Sequence, residues 1–365
     1  MAGSLVDILI FAPLAPIFGV LLLWFIQLLF IESQKFLLAK IRPEHEPLCR
    51  FTNFLGILFQ TICHALGYTV TRSGISKFYV SVDYGKVSPK KEREGVFEWI
   101  SNSFLFLGPF FIPAFLLLIC LYLFTSGGFE VATPPELTAL QYTFTEQIVT
   151  FGRSLHIFTQ HFFGFLATID LLHPGHLGFL LLLLFLGLGI RPSYIGEKRQ
   201  EKIDMLYDLK NIWSHIIHRP LYVILLFLLA YVLFYISLAL NQQWYVGLFA
   251  IFGWLSIIAI VSLVVTHLLL LMIKTTDKIQ GHKKLLPYIT LPLAYILMRT
   301  LFLFIPTEWD KSISLITMIG CTIIVLFLLV RKKKKKKTNT FKAKIDMKAL
   351  PSIEDETDEP GGSIR

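Results

Sequence analysis

Eight runs of apolar residues, at 8–31, 51–70, 99–124, 175–190, 220–240, 244–273, 285–306 and 313–330, are set apart by polar connections. An α-helix advances about 1.5 Å per residue, so crossing roughly 30 Å of hydrocarbon takes about 20 residues, and a helix satisfies its own backbone amides there. The pattern predicts an all-α polytopic integral membrane protein of about eight apolar helices. The fourth run, with 16 residues, is short. It suits a helix enclosed by others, or one that extends back through 162–172.

Two connections carry a pattern of their own. Residues 69–88 alternate β-branched and aromatic residues with polar ones and include Gly74 and Gly85, which predicts a small β-hairpin after the second helix. Residues 137–161, with Gly152 as their one Gly or Pro, predict an amphipathic helix outside the membrane. No Lys or Arg precedes the first run, and that run is too long for a cleavable signal, so a retained span is expected.

With 55% hydrophobic and 16% charged residues, the composition excludes a water-soluble enzyme and a disordered chain. The net charge of +9 owes much to the eleven basic residues after Val330, so it is a property of a tail. Lys and Arg also orient the helices. The connections after the second, fourth and sixth runs hold six, six and four, whereas those after the third, fifth and seventh hold one, none and one. This places the rich set and the C-terminus in the cytoplasm. Residues 32–50 break the alternation with Lys35, Lys40, Arg42 and Arg50, which implies that one of the first two apolar helices does not cross completely. The four scattered cysteines have no Cys-x-x-Cys spacing, so neither a disulfide framework nor a zinc knuckle is expected.

The chain divides into an N-terminal helix and basic connector (1–50), a membrane core with hairpin and outer helix (51–218), a four-helix region (219–330) and a tail (331–365) that passes from basic to acidic and is expected to be disordered. Arg331, Lys332, Lys333, Lys334, Lys335, Lys336 and Lys337 follow the last helix directly, where such a cluster attracts anionic lipid headgroups at about 1 kcal/mol per charge. Beside a membrane span, nucleic acid is not the expected partner.

Polar groups within apolar helices are costly unless paired, so they mark candidate sites. In the second helix Gln60 and His64 stand four apart on one face, with Thr61 next to Gln60. Two histidines at that spacing can hold zinc while a Glu between them activates water. The segment 60–68 resembles the His-Glu-x-x-His-Ala-x-Gly helix of the site-2 protease family, with Gln60 at the first ligand, Thr61 at the catalytic Glu, Cys63 where Gly is common and His64 at the second ligand. The strand-rich stretch that follows and the helix carrying Gly108-Pro109-Phe110 are similar in order to that family, and the resemblance spans roughly residues 50–212. It implies a membrane zinc-metalloprotease core whose third ligand would be Asp208, with Asp170 competing for the role.

Chemistry argues against activity. An amide is a poor zinc ligand, and a threonine has no carboxylate to accept a proton from metal-bound water. The expected function is therefore a non-catalytic protein that binds or scaffolds other membrane segments, without a cofactor. The alternatives are an active intramembrane metalloprotease with atypical ligands, which would need zinc, and a small-solute or anion transporter built on Arg299 in the seventh helix. His215 and His218, just before Arg219-Pro220, are expected to serve the membrane interface.

Overall fold

The computed structural model describes residues 5–124, 142–190, 205–279 and 281–348, with the side chains of 205–208, 211 and 332–348 outside that description. These residues fall in two compact units, Met1–Lys274 and Thr275–Arg365.

The first unit opens with a π turn (Asp7–Phe11) and a 3-10 turn (Ala12–Leu14) leading into α1 (Ala15–Ile41). Pro13 and Pro16 cause the irregularity, since neither has an N–H to give to a carbonyl three or four residues back. Tyrosines replace those donors: Tyr235 donates to Leu9 O at 2.6 Å, Tyr231 to Ile10 O at 2.7 Å and Tyr245 to Pro13 O at 2.6 Å. After a tight turn comes α2 (Glu46–Val70), then the hairpin β1 (Ile75–Val80) and β2 (Gly85–Pro89), paired antiparallel with Phe78 opposite Val87 and Tyr79 opposite Lys86. The helices α3 (Val96–Phe124), α4 (Phe144–Ala167), α5 (Pro174–Gly189), α6 (Met205–His218), α7 (Pro220–Ala239) and α8 (Trp244–Thr276) follow. In the second unit a 3-10 turn (Gly281–Leu285) precedes α9 (Leu286–Phe302) and α10 (Asp310–Lys348), which pack against each other.

Among the described residues six helical stretches are long and apolar enough to cross a membrane: Asp7–Ile41, Val96–Phe124, Pro220–Ala239, Trp244–Thr276, Gly281–Phe302 and Asp310–Arg331. The expected eight is thereby corrected to six. The helix α2 carries Glu46, Arg50, Thr52 and Asn53 in its first half, and α5 has only 16 residues and does not extend back, because α4 already occupies the chain to Ala167. The amphipathic helix is α4, but its Phe151, Phe158 and Phe162 are buried, and Phe151 fills the space beside Gly19 of α1 and Gly253 of α8. The basic run does not end the last helix, since α10 continues through it to Lys348, consistent with the strong helix propensity of lysine. The acidic end, 349–365, lies outside the described residues.

Close packing at glycines holds the core of this unit together. A Cβ on Gly187 of α5 would collide with Ser262 O and Thr266 Oγ1 of α8, and Gln34 of α1 donates its amide to Gly187 O at 2.9 Å. The fully buried Ser262 and Thr266 return their hydroxyls to Ile258 O and Ser262 O, both at 2.8 Å, and Thr266 also reaches Leu184 O of α5 at 3.4 Å.

Candidate functional site

The helix α2 is enclosed on three sides. The hairpin folds back along it, with Asn53 Nδ2 donating to Val82 O at 2.5 Å and Gly85 seated on Ile57 and Thr61. Gly85 is obligatory there, because any side chain would enter the Thr61 hydroxyl. Against α3 the contacts are Cys63 with Gly108 and Gly67 with Ser101 and Phe104, which makes the two helices antiparallel. Against α5 they are Phe51 with Phe185, ring centroids 5.9 Å apart, and Leu55 and Phe59 with Gly189, so α2 and α5 run parallel.

This arrangement splits the motif. Thr61, 5% exposed beneath the hairpin, donates its hydroxyl to Ile57 O at 2.6 Å within its own helix. His64 turns toward Tyr68, with ring centroids 4.5 Å apart, and its Nε2 is buried without a hydrogen-bond partner. Among the described residues His64 belongs to no group of three His, Cys, Asp or Glu whose ligand atoms converge. Among the described residues the motif supplies one imidazole, one amide and a hydroxyl already committed to the backbone, which by themselves do not make a three-ligand zinc site with a base.

The two acidic candidates separate by position. Because α2 and α5 run parallel and meet at Phe59 and Gly189, His64 lies past the C-terminal end of α5, whereas Asp170 precedes its N-terminal end. A 16-residue helix spans about 24 Å, which takes Asp170 out of reach of His64. Asp170 serves its own turn instead, its N–H donating to His176 Nδ1 and its Oδ1 accepting from Leu172 N, both at 3.0 Å. The side chain of Asp208 lies outside the described residues, as do those of Lys332 to Lys337.

Arg299 occupies the last turn of α9 and pairs with Asp310 in the first turn of α10, with side chains 18% and 25% exposed. The guanidinium is thus neutralised within its own helical hairpin.

At the junction of α6 and α7, His215 stacks on Trp99 of α3, with centroids 5.3 Å apart and planes 9° apart, and its Nε2 lies 3.2 Å from Ser103 Oγ. Burial holds this imidazole below its ordinary pKa near 6.5, against the opposing pull of the Trp99 backbone and the Glu98 carboxylate. Arg219 Nη2 meets Glu98 Oε2 at 3.2 Å, so the starts of α3 and α7 lie together. The sequence reading treated 99–124 as plain span and missed the role of this corner. The signal present was Ser101-Asn102-Ser103, a polar triplet at the head of an apolar run.

No protein-family model, curated protein or solved structure matches the chain.

Proposed function

We propose that the protein is a non-catalytic, multi-pass membrane protein whose α2, hairpin, α3 and α5 resemble a site-2 protease core with a decayed zinc motif, and that it binds or scaffolds other membrane segments. The observation that carries this reading is Thr61: a hydroxyl bonded to its own helix and capped by Gly85 stands where hydrolysis needs a carboxylate. Purified protein is expected to hold well under about 0.1 zinc per chain, and His64→Ala to leave the proteins cleaved in its host membrane unchanged. About one zinc per chain, the stoichiometry of a catalytic site, or loss of a specific cleavage product in that variant, overturns the reading. One observation favours an active enzyme instead: the buried Nε2 of His64 is unpartnered. The zinc measurement separates the two.

The proposed topology follows from contacts within the first unit. The starts of α3 and α7 share one face through Glu98 and Arg219. The start of α8 lies at the start of α1 through Tyr245 and Pro13, on the other face. Phe124, ending α3, meets His176 at the start of α5, with centroids 6.4 Å apart. The end of α1 clusters with the first turn of α2 and the last turns of α8 through Leu38, Ile41, Cys49 and Leu270, while the last turn of α2 lies beside the start of α3. Both ends of α2 are therefore at one face and α2 does not cross, whereas the short α5 does. The basic connections 32–50 and 71–98 then fall on one face of the first unit, which the charge rule makes cytoplasmic, and the same rule assigns the C-terminal tail to the cytoplasm. There the run from Arg331 to Lys337 meets anionic headgroups.

A further inference from the structure

A cavity of about 830 Å³ opens where the hairpin hands the chain to α3, and it shares Glu98, Asn102 and Arg219 with a second one of about 400 Å³ in front of His215 and His218. The two meet at the Glu98 to Arg219 ion pair. Val96 and Pro220, which begin two of the apolar spans, stand at this corner, so the cleft straddles the boundary between water and hydrocarbon. Its size is within the roughly 300–1,000 Å³ typical of small-ligand sites.

The lining is polar, dense in charge and balanced. Lys91, Arg93 and Arg219 face Glu92, Glu94 and Glu98. Arg219 is held by Glu98 and also lies over the Tyr222 ring at 5.8 Å, while Arg93 lies over the Phe97 ring at 5.1 Å. Among the described residues Lys91, Glu92 and Glu94 have no ion-pair partner. Ser101 lines the larger cavity at 3% exposure, and its hydroxyl has no hydrogen-bond partner, an arrangement that a native structure rarely leaves unused.

We propose that this cleft is a binding site for a phospholipid with a zwitterionic headgroup, a phosphate ester joined to an ammonium. The phosphate is taken by Lys91 and the planar fork of Arg93. The ammonium lies between the carboxylates of Glu92 and Glu94. A headgroup with net negative charge would meet the unpaired Glu92 and Glu94 with nothing to offer them, so balance in the lining selects balance in the ligand. The acyl chains leave along Phe97 and Leu221, which are 47% and 61% exposed where α3 and α7 enter the apolar layer. The assignment does not depend on whether the α2 motif is catalytic.

The test uses the full chain in mild detergent, observed by native mass spectrometry while short-chain lipids of equal tails and different headgroups are titrated. The phosphocholine lipid is expected to bind about tenfold or more tighter than its phosphoglycerol counterpart, and R93E combined with K91E to erase that preference. Soluble phosphocholine without tails should bind far more weakly than the lipid. Arg153→Glu, a charge reversal on α4 away from the cleft that equals R93E alone, should leave binding as it was, whereas R93E alone should already weaken it. Arg93 and Lys91 are exposed, so the thermal midpoint of the double variant should match that of the parent, and K91Q with R93Q serves if it does not. Equal or tighter binding of the phosphoglycerol lipid, equal binding of tail-free phosphocholine, or matching losses in the cleft variant and Arg153→Glu overturns the proposal.

Discussion

At position 61 the side chain, its hydrogen bond and its neighbour all agree. Thr61 bonds back to Ile57 O, and a residue larger than Gly85 could not approach it, so a carboxylate at 61 would displace the hairpin. Gln60, Thr61 and His64 were legible as a set because helical spacing is periodic and polar residues in apolar helices are conspicuous. Their environment was not, because only packing decides which face meets the hairpin, although the contact of His64 with Tyr68, four positions on in the same helix, is local. The same holds for His215, whose position before Pro220 suggested the interface but whose stacking on Trp99 came from a residue more than a hundred positions away. Its lowered pKa means that the unfolded chain takes up the proton more readily than the folded one. Stability is therefore complete above about pH 6.5 and falls as acid protonates the unfolded imidazole. Glu98, His218 and Arg219 surround the same corner, so the measurement must isolate this ring. His215→Phe should flatten the change in thermal midpoint between about pH 7.5 and pH 5.5, the window of histidine titration. An unchanged slope would show that His215 does not carry it.

Elements show how local chemistry is repaired at a distance. The first apolar run was recognisable as a helix, and in the structure its Pro13 and Pro16 leave carbonyls near residue 10 short of backbone donors. Nothing local identified the replacements, which are tyrosines of α7 and α8 more than two hundred positions away. In lipid an unmet carbonyl is expensive, so Tyr235→Phe is expected to destabilise the protein by about 1–3 kcal/mol. Pro13→Ala restores an N–H that can reach Leu9 O, and Tyr235→Phe in that background should cost clearly less. A double-mutant cycle on thermal unfolding in detergent checks this, and additivity would refute the link between the proline and the tyrosine. The hairpin was legible from alternation and from Gly74 and Gly85, since strand period and turn chemistry are local. Its docking onto Asn53, Ile57 and Thr61 is tertiary.

For the whole molecule, the proposed path of α2 makes a prediction that separates it from a crossing helix. In a cysteine-free background, Glu44→Cys and Lys90→Cys should both resist an impermeant thiol reagent applied to the outside of cells, while Asn241→Cys reacts. Reaction at residue 44 but not at 90 would mean that α2 crosses. Helical membrane architecture, the hairpin and the uneven distribution of Lys and Arg were determined by the amino-acid sequence itself, because hydrocarbon admits few backbone solutions and those solutions are periodic. The enclosure of α2, the separation of Asp170 from His64 and the pairing of Arg299 with Asp310 were decided only by tertiary structure. Whether a half-polar helix crosses, and which carboxylate a buried cation finds, depends on the neighbours that enclose it, and those neighbours come from distant parts of the chain.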